Sequence, residues 1–557
     1  MKLLQKIDKN IFIFLGLAIL ILWQMLLPGY ILTLDMIFAP KIKLLITDGA
    51  FYNTYPVRYL LHLLNFVFTG WIIQKIILLT LFFVIGYISL LFISVPRKHY
   101  ANYWAALFYT LNPFVYERFL AGHWTHLFAY AFLPPLTFYL VQFYNNPEWR
   151  SGAWLFAWLF AIGLFSTHFV IMAGLLVCVT ILIKLISYSR SNKNKFISLL
   201  KISAISGVSF LIASAYWLVP YLLHRGQSVV NTFSGANWEA FKTAGDVYLG
   251  TSLNVLALYG FWGERENWAG YWLWPKDHFL FWLTVAMVLA IFLLIGVRAS
   301  LKNKEARGLG IFYLLLALVA FIFSVGIGDT IFKNLNLWLF EHIGFWRGFR
   351  DTQKFSAWLV LAYAYFGGFA LVAIMDYWQE KKNKFSEQIL WAIFLLPILY
   401  TYPMVGGFAR QLQPVDYPQS WYEVNEILNQ DKSEFKVLYL PWHQYLSLDF
   451  NNNLITANPA RAFFDKEVLQ GENMEIGGIF SQTNNLENAE IEKILLNTEI
   501  NPDQAVQQLF DRGVKYLLIS DELLANDYLE YKILDSSNFI VIYRQNHLTF
   551  LKLAPKI

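Results

Sequence analysis

The sequence predicts a polytopic α-helical membrane protein that ends in a mixed α/β domain. Three observations predict it. The chain is 57% hydrophobic and 15% charged, where soluble domains run near ~25% charged. Apolar runs of bilayer-spanning length recur through residues 1–407. From Gln411 onward acids outnumber bases, and the pattern changes to amphipathic helices and short strands.

Apolar length gives about eleven spans. They lie near 11–28, 71–95, 101–116, 125–144, 152–166, 169–187, 197–222, 278–297, 309–327, 355–376 and 387–406. The first follows a basic lead, MKLLQKIDKN, and closes on Pro28-Gly29 without a small-residue cleavage site, so it reads as a retained helix. Charge then orients the chain. PRKH (96–99), YSRSNKNKF (188–196), VRASLKNKEAR (297–307) and QEKKNK (379–384) are dense in Lys and Arg. The positive-inside rule places them and the N-terminus in the cytoplasm. Loops 29–70, 223–277 and 328–354, the ERFLAGHW corner at 117–124, and the tail 408–557 then face outward. Within the first loop, VRYLLHLLNFVFTGW (57–71) has helical apolar spacing and reads as an interfacial helix.

The tail reads as an extracytoplasmic α/β domain. PQSWYEVNEILNQ is a helix, and FKVLYLPW and VKYLLISD are strands. NPDQAVQQLFDRG carries helix start and stop marks in Asn501, Pro502 and Gly513. FIVIYRQ and LTFLKLA form a closing hairpin around Asn546-His547. No zinc spacing, P-loop or G-x-S-x-G occurs, so the tail is expected to bind acceptor or act as a lid. Cys178, alone in LLVCVTILI, excludes an intrachain disulfide and is expected to be buried. No basic patch interleaves with aromatics in the tail, so nucleic acid is not an expected partner.

Three groups can carry chemistry. Asp35, in LTLDMIFAPK just after the first span, is a carboxylate at the membrane lip; it suits a base acting on an acceptor hydroxyl, or a ligand for a divalent cation such as Mg or Mn. The bland alternative is a cap or an ion pair with Lys41 or Lys43. In LFEHIGFWRGFRDTQKF (339–355), Arg347, Arg350 and Lys354 lie among aromatics expected at headgroup level, a pattern that suits a lipid-linked phosphate. In LNPFVYERFLAGHWTHLFAY (111–130), Glu117, Arg118, His123 and His126 interrupt an apolar stretch, either pairing with one another or facing a cavity. His168, Glu239, Asp246, Glu264, Glu266 and Asp277 are weaker candidates. The aromatic run FWGERENWAGYWLWP (261–275) reads as an interfacial belt or a sugar-stacking surface.

This arrangement resembles the GT-C class of membrane glycosyltransferases. The features are an acid in the first outer loop, an interfacial helix beside it, about eleven spans and an outer C-terminal domain. LNPFVYERFLAGHW and FRDTQKF look similar to segments of its arabinofuranosyltransferase-like branch. The resemblance covers roughly 1–406. It implies a polyprenyl-phosphate-linked sugar as donor and a glycan, glycolipid or protein as acceptor. It also implies Asp35 as base in an inverting transfer, phosphate binding by Arg347, Arg350 and Lys354, and assistance from Glu117, Arg118, His123 and His168. The chain departs from the class in lacking an obvious D-x-D or E-x-D, which leaves metal dependence open. Two other functions fit the same composition: a transporter or flippase for lipid-linked glycans, and a non-catalytic envelope assembly protein. A transporter would carry repeats and mid-membrane charges, whereas the charges here cluster at outer span ends.

Overall fold

The computed structural model describes residues 8–555 apart from 45–51, 94, 96–98, 225–229, 231–232, 234, 329, 382–385, 474, 477–478, 481–482, 484, 526 and 546. Parts of the expected inner loops 96–99 and 379–384, and Asn546 of the hairpin turn, lie outside the described residues.

Among the described residues eight helices are long and apolar enough to cross a membrane: Lys9–Leu26, Gly70–Phe92, Trp124–Asn145, Thr167–Ser191, Lys193–Ala213, Phe279–Lys302, Arg307–Ser324 and Thr352–Glu380. Two shorter apolar helices, Trp149–Phe165 and Glu387–Tyr400, cover two more of the expected runs. The run at 101–116 is different. Helix His99–Thr110 stops, and a second helix, Pro113–Leu120, starts after it. Asn112 is extended and its side chain accepts from the Val115 amide at 3.1 Å, while Pro113 has no amide hydrogen to continue the first helix. Protein rather than lipid surrounds both pieces, with Trp104, Phe108, Tyr109 and Glu117 at 0% exposure. A buried segment need not match the bilayer thickness.

Helix burial separates core from rim. Thr352–Glu380 is 78% buried over its apolar window, against 17% for Lys193–Ala213. The former is therefore the central helix. Gly367 lets the Trp104 indole lie against it, since a Cβ there would meet the ring at 1.8 Å. Cys178 contradicts the expected burial. It is exposed on the outer side of helix Thr167–Ser191, where an apolar surface suits a lipid-facing position.

The loop 29–70 holds a separate helix, Tyr55–Leu64. It ends at Asn65, whose side chain binds the Ile42 amide (2.8 Å) and the Pro40 and Phe68 carbonyls (3.1 and 3.0 Å). It is thus distinct from the span that begins at Gly70, and shorter than the expected 57–71. The helix leaves Tyr59, Leu60 and Leu63 exposed, and the turn after it Phe66 and Val67, an apolar surface that suits an interfacial helix.

The tail is built on a five-stranded sheet in the order Glu467–Leu469, Lys436–Leu440, Val514–Ser520, Leu548–Leu553, Phe539–Gln545. The first three strands are parallel and the last two antiparallel. Strand alternation splits the sheet between two cores. Leu438, Leu440, Leu517 and Leu551 pack with helices Leu486–Leu495 and Pro502–Asp511. Val437, Tyr439, Leu518 and Phe550 pack with Trp421 and Val424 of helix Gln419–Gln430, in a core continuous with the membrane bundle. The tail is therefore anchored to the bundle. Tyr30 and Val415 exchange backbone hydrogen bonds (2.7 and 2.8 Å), and Tyr417 donates to the Phe38 carbonyl (2.9 Å).

Candidate functional site

Residues 33–36 form a tight turn held from both sides. The Thr33 hydroxyl donates to the Leu120 carbonyl (2.6 Å), and the Asp35 amide donates to the Ala121 carbonyl (3.2 Å). From the tail, the Leu34 amide donates to the Ile455 carbonyl (2.9 Å) and the Ala457 amide to the Leu34 carbonyl (2.7 Å). Leu34 is left at φ +24°, a backbone region that non-glycine residues seldom adopt. Gly122, at φ +75°, makes the close approach possible, since a Cβ there would lie 2.4 Å from the Met36 amide. Such strain persists only where the surroundings over-determine the geometry.

The turn presents the Asp35 carboxylate between two partners. Oδ2 lies 3.0 Å from His123 Nε2, and Oδ1 accepts from the Tyr445 hydroxyl at 2.7 Å. The side chain is 43% exposed, so the carboxylate is reached by solvent while both of its oxygens are held by protein groups. Burial alone would raise its pKa. The hydrogen bonds from His123 and Tyr445, with the nearby Lys354 charge, hold it below the ordinary carboxylate value. Burial lowers the His123 imidazole against the opposing pull of Asp35. A neutral His123 then donates through Nε2–H to Asp35 and offers Nδ1 to Arg118 Nη1 at 3.5 Å.

Behind His123 lies a buried ionic network. Arg118, at 0% exposure, grips Asp351 with two guanidinium nitrogens and also donates to Gln353. Its guanidinium stacks on Phe261 at 4.7 Å and on Phe114 at 5.5 Å. Lys354 Nζ is 3.6 Å from Asp351 Oδ2. Burial would raise Asp351, but Arg118 and Lys354 hold its carboxyl well below the usual range. Gln353 donates to Glu117 (3.2 Å), linking a second acid. Glu117 faces Glu264, which accepts from the Gly260 amide and from Asn254 at 2.9 Å. Burial first, and then Glu264, raises the Glu117 pKa well above normal. Glu117 Oε1 has no hydrogen-bond partner among the described residues. Arg350 stacks on Phe241 at 3.9 Å and Phe233 at 4.3 Å and bears electrostatically on Asp35 and Tyr445. Burial lowers its guanidinium, which stays charged at neutral pH.

Among the described residues no group of three or more His, Cys, Asp or Glu is placed to hold a metal ion. A divalent cation such as Mg or Mn takes several oxygen ligands, and both Asp35 carboxylate oxygens here already meet a side chain, His123 and Tyr445.

The architecture matches solved structures of one enzyme. The chain shares its fold with the arabinofuranosyltransferase AftD, a GT-C enzyme. The cryo-EM structure of AftD from Mycobacteria superposes with a TM-score of 0.60 at 12% identity, covering 99% of this chain and 40% of AftD. Two structures of an AftD point mutant give 0.61 at 12% identity (98% and 42% covered) and 0.56 at 11% identity (99% and 42% covered). The chain thus spans about two fifths of the length of AftD. No protein-family model and no curated protein matches the sequence.

This fold brings most of the sequence-selected residues together. Asp35, Glu117, Arg118, His123, Arg350 and Lys354 converge, and His168 joins them through Nε2 on the Gly348 carbonyl (2.9 Å). Arg347 points elsewhere: its Nε donates to the Phe340 carbonyl at 3.4 Å. Most of the aromatics beside it turn into the protein. Trp346, Phe349 and Phe355 are buried and pack on one another, and only Phe345 is largely exposed. The run 261–275 is likewise no simple belt, because Phe261, Trp262 and Tyr271 wall the Arg118 network. Tyr445, Asp351 and Gln353 escaped the sequence reading. Tyr445 lies 410 residues from Asp35 and no motif marks it. Asp351 and Gln353, between Arg350 and Lys354 in RDTQK, were open to it as possible partners for a buried Arg.

Proposed function

We propose that the protein is a membrane glycosyltransferase in which Asp35 is the general base. It moves a sugar from a polyprenyl-phosphate donor to a hydroxyl of an extracytoplasmic acceptor. The observation that carries this reading is the Asp35 carboxylate: held below the ordinary carboxylate pKa, oriented by two hydrogen bonds, and open to solvent.

The chemistry follows from those contacts. An acceptor hydroxyl hydrogen-bonds to Asp35. As its oxygen attacks the anomeric carbon, the proton passes to Asp35. The new C–O bond forms as the bond to the phosphate oxygen breaks on the opposite face, giving inversion. The polyprenyl phosphate leaves with the electron pair, and Arg350 and Lys354, both near Asp35, stabilise its charge. Arg118 and Asp351 are positioning residues that hold His123 and Lys354. The tail contributes through Tyr445, which fixes the second carboxylate oxygen. The fold shared with AftD supports this reading, and the outward placement that loop charge predicts for the tail fits an acceptor presented outside the cytoplasm.

The test is Asp35→Asn, which keeps a side chain of the same shape. Glycosyl transfer by the purified protein from a polyprenyl-phosphate sugar is expected to fall by a factor on the order of 10²–10⁴, with donor binding retained. Unchanged turnover removes Asp35 from the mechanism.

A further inference from the structure

The loop 223–277 has an uncharged, apolar tip. From Val247 to Leu256, VYLGTSLNVL, no residue carries a charge. Val247 is 93% exposed and Tyr248 76%. Leu253 and Leu256 are exposed on one side of the short helix Gly250–Leu256 that follows. An exposed apolar surface of this kind marks a contact with something outside the chain.

Four contacts place the segment among the spans rather than above them. The Thr243 hydroxyl donates to the carbonyl of Ser324, the last residue of span Arg307–Ser324 (2.6 Å). The Tyr248 ring packs on Phe279, the first residue of span Phe279–Lys302, at 5.1 Å. The hydroxyl of Tyr400, at the end of helix Glu387–Tyr400, donates to the Ala257 carbonyl (2.8 Å). The Tyr363 hydroxyl donates to the Leu256 carbonyl (3.2 Å), and Tyr363 lies about three turns inside the span Thr352–Glu380. The chain before Phe279 marks the water side. Lys276, Asp277 and His278 are exposed there, and the exposed apolar residues Leu280, Phe281 and Met287 of the span come after them. Tyr248 therefore sits where polar residues give way to apolar ones, continuous with that apolar stripe.

Irregular backbone at membrane depth must have its polar groups answered within the protein. Here the partners are built in. Asp246 Oδ1 accepts from the Tyr248 and Leu249 amides (2.7 and 2.9 Å), and the Asp246 carbonyl accepts from the Gly250 amide (2.8 Å). The two tyrosine hydroxyls answer the carbonyls at the other end of the segment, and Asn254 donates to the Ala244 carbonyl (3.2 Å).

We propose that residues 247–256 form a re-entrant wedge that dips into the bilayer, with the Val247 and Tyr248 side chains against lipid. The occupant of this surface is lipid because the wedge continues the exposed apolar stripe of span Phe279–Lys302 and carries no charge. The wedge also bears on the Arg118 network, because the chain that leaves it runs into the wall of that network. Gln353 donates to the Tyr259 carbonyl (3.5 Å), and the Phe261 ring lies under the Arg118 guanidinium. Lipid contact at 247–256 thus steadies the loop that closes that wall. The inference depends on no step of glycosyl transfer.

The experiment places a nitroxide label at Val247→Cys in a Cys178→Ser background, which leaves no other thiol. The full chain is reconstituted in phosphatidylcholine vesicles. Power saturation then measures collisions of the label with oxygen, which concentrates in hydrocarbon, and with the water-soluble complex nickel ethylenediaminediacetate. Labels at Leu280→Cys on the span and Leu486→Cys on the tail surface give the lipid and water references. The ratio of oxygen to nickel collisions at 247 is expected to exceed that at 486 by at least about threefold, since a polar complex is excluded from hydrocarbon, and to approach that at 280. A smaller ratio overturns the proposal. So does a label that neither reagent reaches, which assigns the tip to a second copy or to another protein. If Val247→Cys fails to fold, Tyr248→Cys decides by the same ratio. The label reads depth and not turnover, so this inference and the role of Asp35 fail separately.

Discussion

Removing the Tyr445 hydroxyl tests how the tail enters the chemistry. In Tyr445→Phe the ring remains, so its stacking on Trp268, at 6.3 Å and 24°, is kept. What is lost is the 2.7 Å hydrogen bond to Asp35 Oδ1. A hydrogen bond to a charged group contributes about 1.5–3 kcal/mol. The Asp35 side chain is 43% exposed, so water replaces part of the interaction and the lower end applies. A loss of about 1.4 kcal/mol corresponds to about tenfold in the proton-binding constant of the carboxylate. The sign is fixed, because the phenol stabilises only the ionised form and its removal makes Asp35 easier to protonate. The acid limb of kcat/KM for glycosyl transfer should therefore move to higher pH, while the rate on the neutral plateau changes little because His123 still orients the carboxylate. The assay is the pH profile of wild type and variant with saturating donor. A limb that stays in place, or a loss of plateau rate with an unmoved limb, refutes the assignment of Tyr445 as a partner of the base.

Three further outcomes follow from other parts of the molecule. Arg118→Met leaves Asp351 buried without its bidentate partner, and breaking a buried pair in this way costs about 3–5 kcal/mol; a marked drop in detergent melting temperature is expected, and an unchanged one would show that Lys354 alone compensates Asp351. In the tail, His443 is bound by Glu475 at 2.7 Å and Asp527 at 2.8 Å, and although burial would lower its pKa, those carboxylates raise it to about 9. A folded pKa above the unfolded one contributes stability that is full below about pH 6.5 and is lost as pH rises through about 9. The melting-temperature gap between wild type and His443→Gln should thus be widest at pH 6 and narrow by pH 10, and a gap independent of pH removes the ionic contribution. Gly122→Ala places a Cβ against the Met36 amide at a positive φ; transfer is expected to fall together with thermal stability, and wild-type values for both would show that the 33–36 turn relaxes without consequence.

The sequence by itself determined the membrane class, most of the spans, a helix within the loop 29–70 and the elements of the tail. These rest on local physics: apolar length, periodicity, caps and turn residues act within a few positions of one another. Asn501, for example, caps its helix through the Asp503 and Gln504 amides as its spacing indicated. Asp35 was legible too, because an acid is conspicuous between apolar segments. Its partners were not. The Asp35 carboxylate, the His123 ring and the Tyr445 hydroxyl come from three segments that share no periodicity, and only packing of residues 33–36 against residues 120–122 on one side and the tail on the other joins them. The same holds for the loop 339–355. Composition marked three basic residues as equivalent, whereas packing turned Arg350 and Lys354 toward Asp35 and Arg347 toward the Phe340 carbonyl. The interrupted helix at 101–120 shows a further limit: spacing registers apolarity, but whether lipid or protein surrounds the segment, and so how long it must be, is settled by the tertiary fold.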